Sequence, residues 1–296
     1  MVYLPILLGA LTAFCWGTSD YLSRRSSQKV GYYRTTVYMH VMSIVILVLL
    51  LPVLRPALST TPTLTLILVV VSVVNFFAFI FLYRGFHRGI VSVVAPIAYS
   101  YPAITTVLAV VLLGAVLTET KVLALTGIMF GVILISTRFS ELRGYAHGRG
   151  LLKFTPGVRS AALSATSFGA AYVGLGFVTP LVGYFLPVLY LRGLGGALGF
   201  MLAPALKQSV RPNRHSITPV IAVMGILETA GLLSFNLGVS FGSSSLPIVA
   251  ALSGMGGAFA TAYAMIFLRE RLELNQIGGI ILSLIGVFSL LYLTSQ

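Results

Sequence analysis

The sequence predicts an all-α membrane protein: ten transmembrane helices arranged as two inverted five-helix repeats around a central cavity. Three observations carry this. Of the 296 residues, 57% are hydrophobic and only 8% charged, and the mean hydropathy is +1.00. A soluble domain averages about 25% charged residues, so the composition excludes a soluble enzyme, a disordered tail and a nucleic-acid-binding domain. The apolar residues gather into ten runs of the roughly 20 residues needed to cross about 30 Å of hydrocarbon. The second half of the chain also repeats features of the first at a nearly constant offset.

Span one (3–23) has no basic residue before it, no small-residue cleavage site and Arg24-Arg25 after it, so it reads as a helix and not a signal peptide. It carries Trp16 and Cys15; a single cysteine forms neither an intrachain disulfide nor a Cys-based zinc site. Asp20 stands near its end, one turn from Arg24, where a local salt bridge is expected. Span two (34–54) holds His40, and span three (63–84) holds Asn75, each several residues inside the membrane. Span four (90–113) is interrupted by Pro96 and Pro102 and carries Tyr99 and Tyr101. Span five (120–138) completes the first repeat, 1–138.

A connecting loop, 139–157, is the longest polar stretch and divides the chain nearly in half. The second repeat, 158–296, opens with span six (158–179), which carries Phe168 and Tyr172. Span seven (184–206) holds Arg192 and span eight (217–239) holds Glu228. Span nine (244–268) begins near Pro247 and is thinned by Ser253-Gly254-Met255-Gly256-Gly257-Ala258, which lets a neighbour approach closely. Span ten (274–294) ends the series. Tyr3, Tyr32, Tyr33 and Tyr292 lie near span ends and read as an interfacial belt. Continuous apolar runs, rather than short alternating ones, exclude a β-barrel.

Trp16-Gly17 falls on Phe168-Gly169, and Val37-Tyr38-Met39-His40 on Leu189-Tyr190-Leu191-Arg192, at the same spacing. Gly85, Gly89 and Ser92 fall on Gly238, Gly242 and Ser245 one residue later, and Gly131-Val132 on Gly286-Val287. Five spans per repeat is an odd number, so the second repeat enters the membrane with opposite orientation. Inverted repeats of this kind build secondary transporters, whose sites lie near the midplane at the repeat interface.

The Phe14-Cys15-Trp16-Gly17 run, Tyr190-Leu191-Arg192, Leu268-Arg269-Glu270-Arg271-Leu272, Gly279 and Gly286-Val287 together resemble the ten-helix, EamA-like members of the drug/metabolite transporter superfamily. The resemblance covers essentially the whole chain. It departs at Ala115, where the motif's glutamate would stand, with Glu119 four residues later. It implies a basket of two five-helix halves around a cavity lined mainly by helices 1, 3, 4, 6, 8 and 9, and transport of small metabolites such as amino acids, sugars and nucleotide-sugars.

An ionisable group inside a span costs several kcal/mol and marks a functional candidate. His40 and Arg192 are repeat equivalents, as are Asn75 and Glu228. Glu228 reads either as a proton or cation acceptor, or as the ion-pair partner of Arg192. Arg192 in turn is a substrate ligand or a structural anchor, and His40 a proton relay or a hydrogen-bonded interior histidine. Trp16, Tyr99, Tyr101, Phe168 and Tyr172 fall mid-span on helices that the resemblance places at the cavity, and Met255 would adapt to varied ligands. The candidate substrate-binding set is therefore Trp16, Asn75, Tyr99, Tyr101, Phe168, Tyr172, Arg192, Glu228 and Met255, with Glu228 and His40 as proton-coupling candidates.

The function expected is export or exchange of a small metabolite such as an amino acid by alternating access, with lipid or polyprenyl-lipid translocation as the alternative. An embedded enzyme is disfavoured: the six Asp and Glu residues do not cluster within a span, and no recognised catalytic motif occurs. The expected partners are a small-molecule substrate and the lipid bilayer, with no nucleic acid, cofactor or metal. The expected state is a monomer or homodimer in a plasma or bacterial/archaeal inner membrane. Every Lys and Arg except Arg55, Lys121 and Arg192 lies in or beside a loop after an odd-numbered span. The positive-inside rule thus places both termini outside the cytoplasm, whereas the family resemblance implies cytoplasmic termini.

Overall fold

The computed structural model describes residues 3–88, 94, 97–136, 139, 157–211, 219–242, 244–268 and, near the C-terminus, 273–275, 277–279, 281–282, 285–286 and 289. Gly89, Ser92, Pro96, most of the 139–157 connection, Arg269 to Leu272, Val287 and Tyr292 lie outside these. The described residues are helical almost throughout: α1 (Leu4–Val30), α2 (Tyr32–Leu54), α3 (Pro62–Arg88), α4 (Tyr101–Leu113), α5 (Glu119–Ser136), α6 (Val158–Val182), α7 (Phe185–Leu202), α8 (Pro219–Val239), α9 (Ser245–Ser253) and α10 (Gly256–Leu268). Five of them, α2, α3, α6, α7 and α8, are long and apolar enough to cross a membrane.

Three expectations are corrected. Span one does not end at residue 23: α1 runs to Val30 because Ser23, Ser26 and Ser27 are buried against protein rather than exposed to lipid or water. Ser26 and Thr35 hydroxyls lie 3.0 Å apart, and the Ser27 carbonyl meets His87 Nδ1 at 3.1 Å. Span nine is two helices, α9 and α10, separated at Gly254-Met255. Tyr33 does not belong to an interfacial belt; it is 2% exposed and donates from its hydroxyl to the Gly199 carbonyl at 2.8 Å.

The two halves embrace reciprocally. A single glycine turns α1 into α2, Gly31 at φ +89°, and its repeat equivalent Gly183 turns α6 into α7 at φ +80°. A side chain with a Cβ is strained at such angles, which is why glycine stands at both places. α1 packs along α8, and α6 packs along α3. Ser164 of α6 donates to the Ala78 carbonyl of α3 at 3.0 Å. Its equivalent, Thr12 of α1, reaches the Gly231 carbonyl of α8 at 3.2 Å, sharing its proton with Leu8 at 2.8 Å. Contacts exchanged in this way are those of a pseudo-twofold pair. Ser164→Ala should therefore cost about 1 kcal/mol in thermal denaturation, and Thr12→Val less, because only Ser164 commits its proton wholly to the other half.

At one end of the molecule the α1–α2 turn, the end of α3 at His87 and the segment after α7 meet. Arg34 donates through Nε to the Ser209 carbonyl at 2.9 Å, and Tyr38 donates to the Val210 carbonyl at 3.0 Å. The basic segments after spans one, three and seven thus share one face.

Candidate functional site

The stripe Thr12, Trp16, Asp20 and Ser23 recurs every three or four residues, so these side chains share one face of α1, and all four are buried. Opposite them, Phe168 and Tyr172 lie one turn apart on α6 and stack with centroids 5.5 Å apart. Tyr172 also stacks on Trp16, at 5.5 Å and 14° between planes. Phe79 of α3 meets Phe168 edge-on at 5.0 Å. Tyr101, at the start of α4, meets Tyr172 edge-on at 5.1 Å and shares a 2.7 Å hydrogen bond with Ser253 at the end of α9.

These rings enclose a cavity lined by Trp16, Asp20, Phe79, Leu82, Ala98, Tyr99, Tyr101, Phe168, Tyr172 and Glu228. Both halves supply its wall, and the repeat equivalents Trp16 and Phe168, and Asp20 and Tyr172, face it together. About 30 Å³ is open to water centres, room for about two waters.

Of the residues singled out from sequence, Trp16, Tyr99, Tyr101, Phe168, Tyr172 and Glu228 line the cavity; Asn75, Arg192, Met255 and His40 do not. Arg192 is fully buried behind the wall. Its Nη2 meets Glu228 Oε2 at 3.0 Å and the Glu228 carbonyl at 3.2 Å. Its Nη1 reaches Met39 Sδ at 3.7 Å, and its Cζ sits 5.0 Å over the Phe79 ring. His40 meets the Thr36 carbonyl through Nδ1 at 2.9 Å and lies so close to α7 that a Cβ added at Gly195 would come within 2.2 Å of its ring. Asn75 is buried without a partner for Oδ1, and Met255 packs against the core at the α9–α10 break.

Asp20 was expected in a local pair with Arg24. It faces the cavity instead, 6% exposed, and accepts a hydrogen bond from the Tyr99 hydroxyl at 2.5 Å. Its spacing of one turn from Trp16 was the available signal. Phe79 and Leu82 gave none, being two among many apolar residues of span three.

A model described as "EamA-like transporter family" matches the chain twice, over residues 3–137 and 155–292. Among 24 solved chains that match, one described only as "Crystal structure of protein" superposes with a TM-score of 0.75 at 15% identity, covering 98% of this chain and 97% of its own. That likeness establishes the fold. No curated protein matches.

Proposed function

The chain belongs to the EamA-like transporter family, membrane transporters of small molecules, and on that premise we propose that it is a secondary transporter moving a small organic metabolite by alternating access. One observation carries the reading: a cavity lies between the two repeats, and each repeat supplies part of its wall. In this reading the halves, 1–138 and 158–296, are inverted in the membrane and rock about the cavity, exposing it to either side in turn.

The geometry bears on which metabolite. In an amino-acid site Arg192 would hold the carboxylate, but its guanidinium is committed to Glu228 and shielded by Phe79. Glu228 faces the cavity and His40 does not, so Glu228 is the better proton-coupling candidate. In reconstituted vesicles, counterflow should be seen with an organic metabolite, and Glu228→Gln should abolish pH-driven uptake while exchange persists. Movement of labelled lipid alone would replace the reading with lipid translocation.

We place the basic face formed by the α1–α2 turn, the end of α3 and the segment after α7 in the cytoplasm. A C-terminal reporter active only in the cytoplasm should then stay silent, and a bright signal reverses the orientation.

A further inference from the structure

We propose that the cavity is a site for a small organic cation, an amine whose ammonium group rests beside Asp20 while its apolar body lies among the rings. The proposal rests on the transport reading for the ligand's passage across the membrane and for the widening of the cavity that admits it.

The charge inventory of the wall comes first. Among the described residues its carboxylic acids are Asp20 and Glu228, and no basic side chain lines it. Glu228 is already compensated by Arg192 at 3.0 Å. Asp20 is bonded to a neutral phenol, Tyr99, and among the described residues no cation pairs with it. A buried carboxylate met only by a hydroxyl is incompletely compensated, and a ligand cation would complete it. An anionic ligand, or the carboxylate of a zwitterion, would meet the same group as a repulsion. The guanidinium of Arg192 lies behind Phe79.

The remaining wall suits a cation for a separate reason. Ring faces carry negative electrostatic potential and attract ammonium and guanidinium groups. Trp16, Phe79, Tyr101, Phe168 and Tyr172 surround the space, and the protein already uses one of these rings in this way, with Arg192 over Phe79 at 5.0 Å. The same rings supply the apolar contact that a ligand's hydrocarbon part requires.

The chain contains one tryptophan, and it lines the cavity, so Trp16 emission reports occupancy directly. The test uses the full-length protein in vesicles and three probes of matched size: phenethylamine, phenylalanine and 3-phenylpropionate. Phenethylamine should change Trp16 emission at concentrations about tenfold or more below those of phenylalanine, and 3-phenylpropionate should have no effect. Asp20→Asn keeps a partner for the Tyr99 hydroxyl and should weaken phenethylamine by about tenfold or more. Equal or tighter binding of phenylalanine or 3-phenylpropionate overturns the proposal, as does silence from all three probes or an Asp20→Asn protein that binds the amine unchanged. The probe series on the parent protein decides the matter should the variant not fold. Counterflow in the same vesicles separates the two readings. Asp20-dependent amine binding without counterflow upholds the cation site and removes transport, whereas counterflow of phenylalanine without such binding does the reverse.

Discussion

Replacing Arg192 by methionine should destabilise the detergent-solubilised protein by about 3–5 kcal/mol, because Glu228 would keep its buried charge and lose the group that offsets it. Glu228→Gln should do comparable damage from the other side, leaving a fully buried guanidinium with only a carbonyl, a thioether and an aromatic face. The double variant Arg192→Met/Glu228→Gln should recover most of the loss. Arg192 Nε has no partner even now, so the pair is imperfectly satisfied and a neutral replacement of similar volume is tolerated far better than a broken pair. Thermal melting of the four proteins forms the cycle. Single variants that melt like the parent would show that the 3.0 Å contact contributes nothing.

The second large effect falls on a glycine. A Cβ added at Gly17 would lie 2.3 Å from the Gly256 carbonyl oxygen and 2.6 Å from Phe259 Cβ. Backbone cannot step aside cheaply, so Gly17→Ala should cost about 2–3 kcal/mol by forcing α1 away from α10. Its repeat mate Gly169 faces the Ile104 side chain at 2.6 Å, with the nearest backbone atom, the Tyr101 carbonyl oxygen, at 3.5 Å. Ile104 Cγ2 can rotate away, but its Cβ, at 2.8 Å, moves only with α4, so Gly169→Ala should also destabilise, by less than Gly17→Ala because no backbone atom lies within 3.4 Å. Equal melting temperatures for the two variants would show that the α1–α10 contact yields as readily as a side chain.

The helices were legible because membrane-crossing length and apolarity are properties of short segments, and the repeat was legible because equivalent glycines and aromatics keep their spacing. Trp16, Phe168 and Tyr172 could be placed at the cavity because they fall mid-span on helices that the family resemblance puts there. Asp20 was missed for a physical reason. Near Arg24 it looked like a charge at a helix end, and only the continuation of α1 to Val30, with its serines buried, shows that residue 20 lies well within the bundle. Phe79 could not be told from Phe76, Phe77 and Phe81, because which face of α3 points inward is decided by α6 and α7. Arg192 stands several residues inside span seven, but its seat behind Phe79 depends on where α3 crosses α7, and no feature of either segment alone encodes that crossing.

The reciprocal embrace of the halves also bears on how the chain is made. Thr12 meets its partner 219 residues later, and α1 lies chiefly along α8. At translation rates of about 5–20 residues per second, α8 leaves the ribosome roughly 10–40 s after α1. Through that interval Thr12 has no second-half carbonyl to meet, although Tyr99, the partner of Asp20, arrives 79 residues after it. The first helix therefore waits at the insertion machinery, or against neighbours it will later abandon, until the second half arrives.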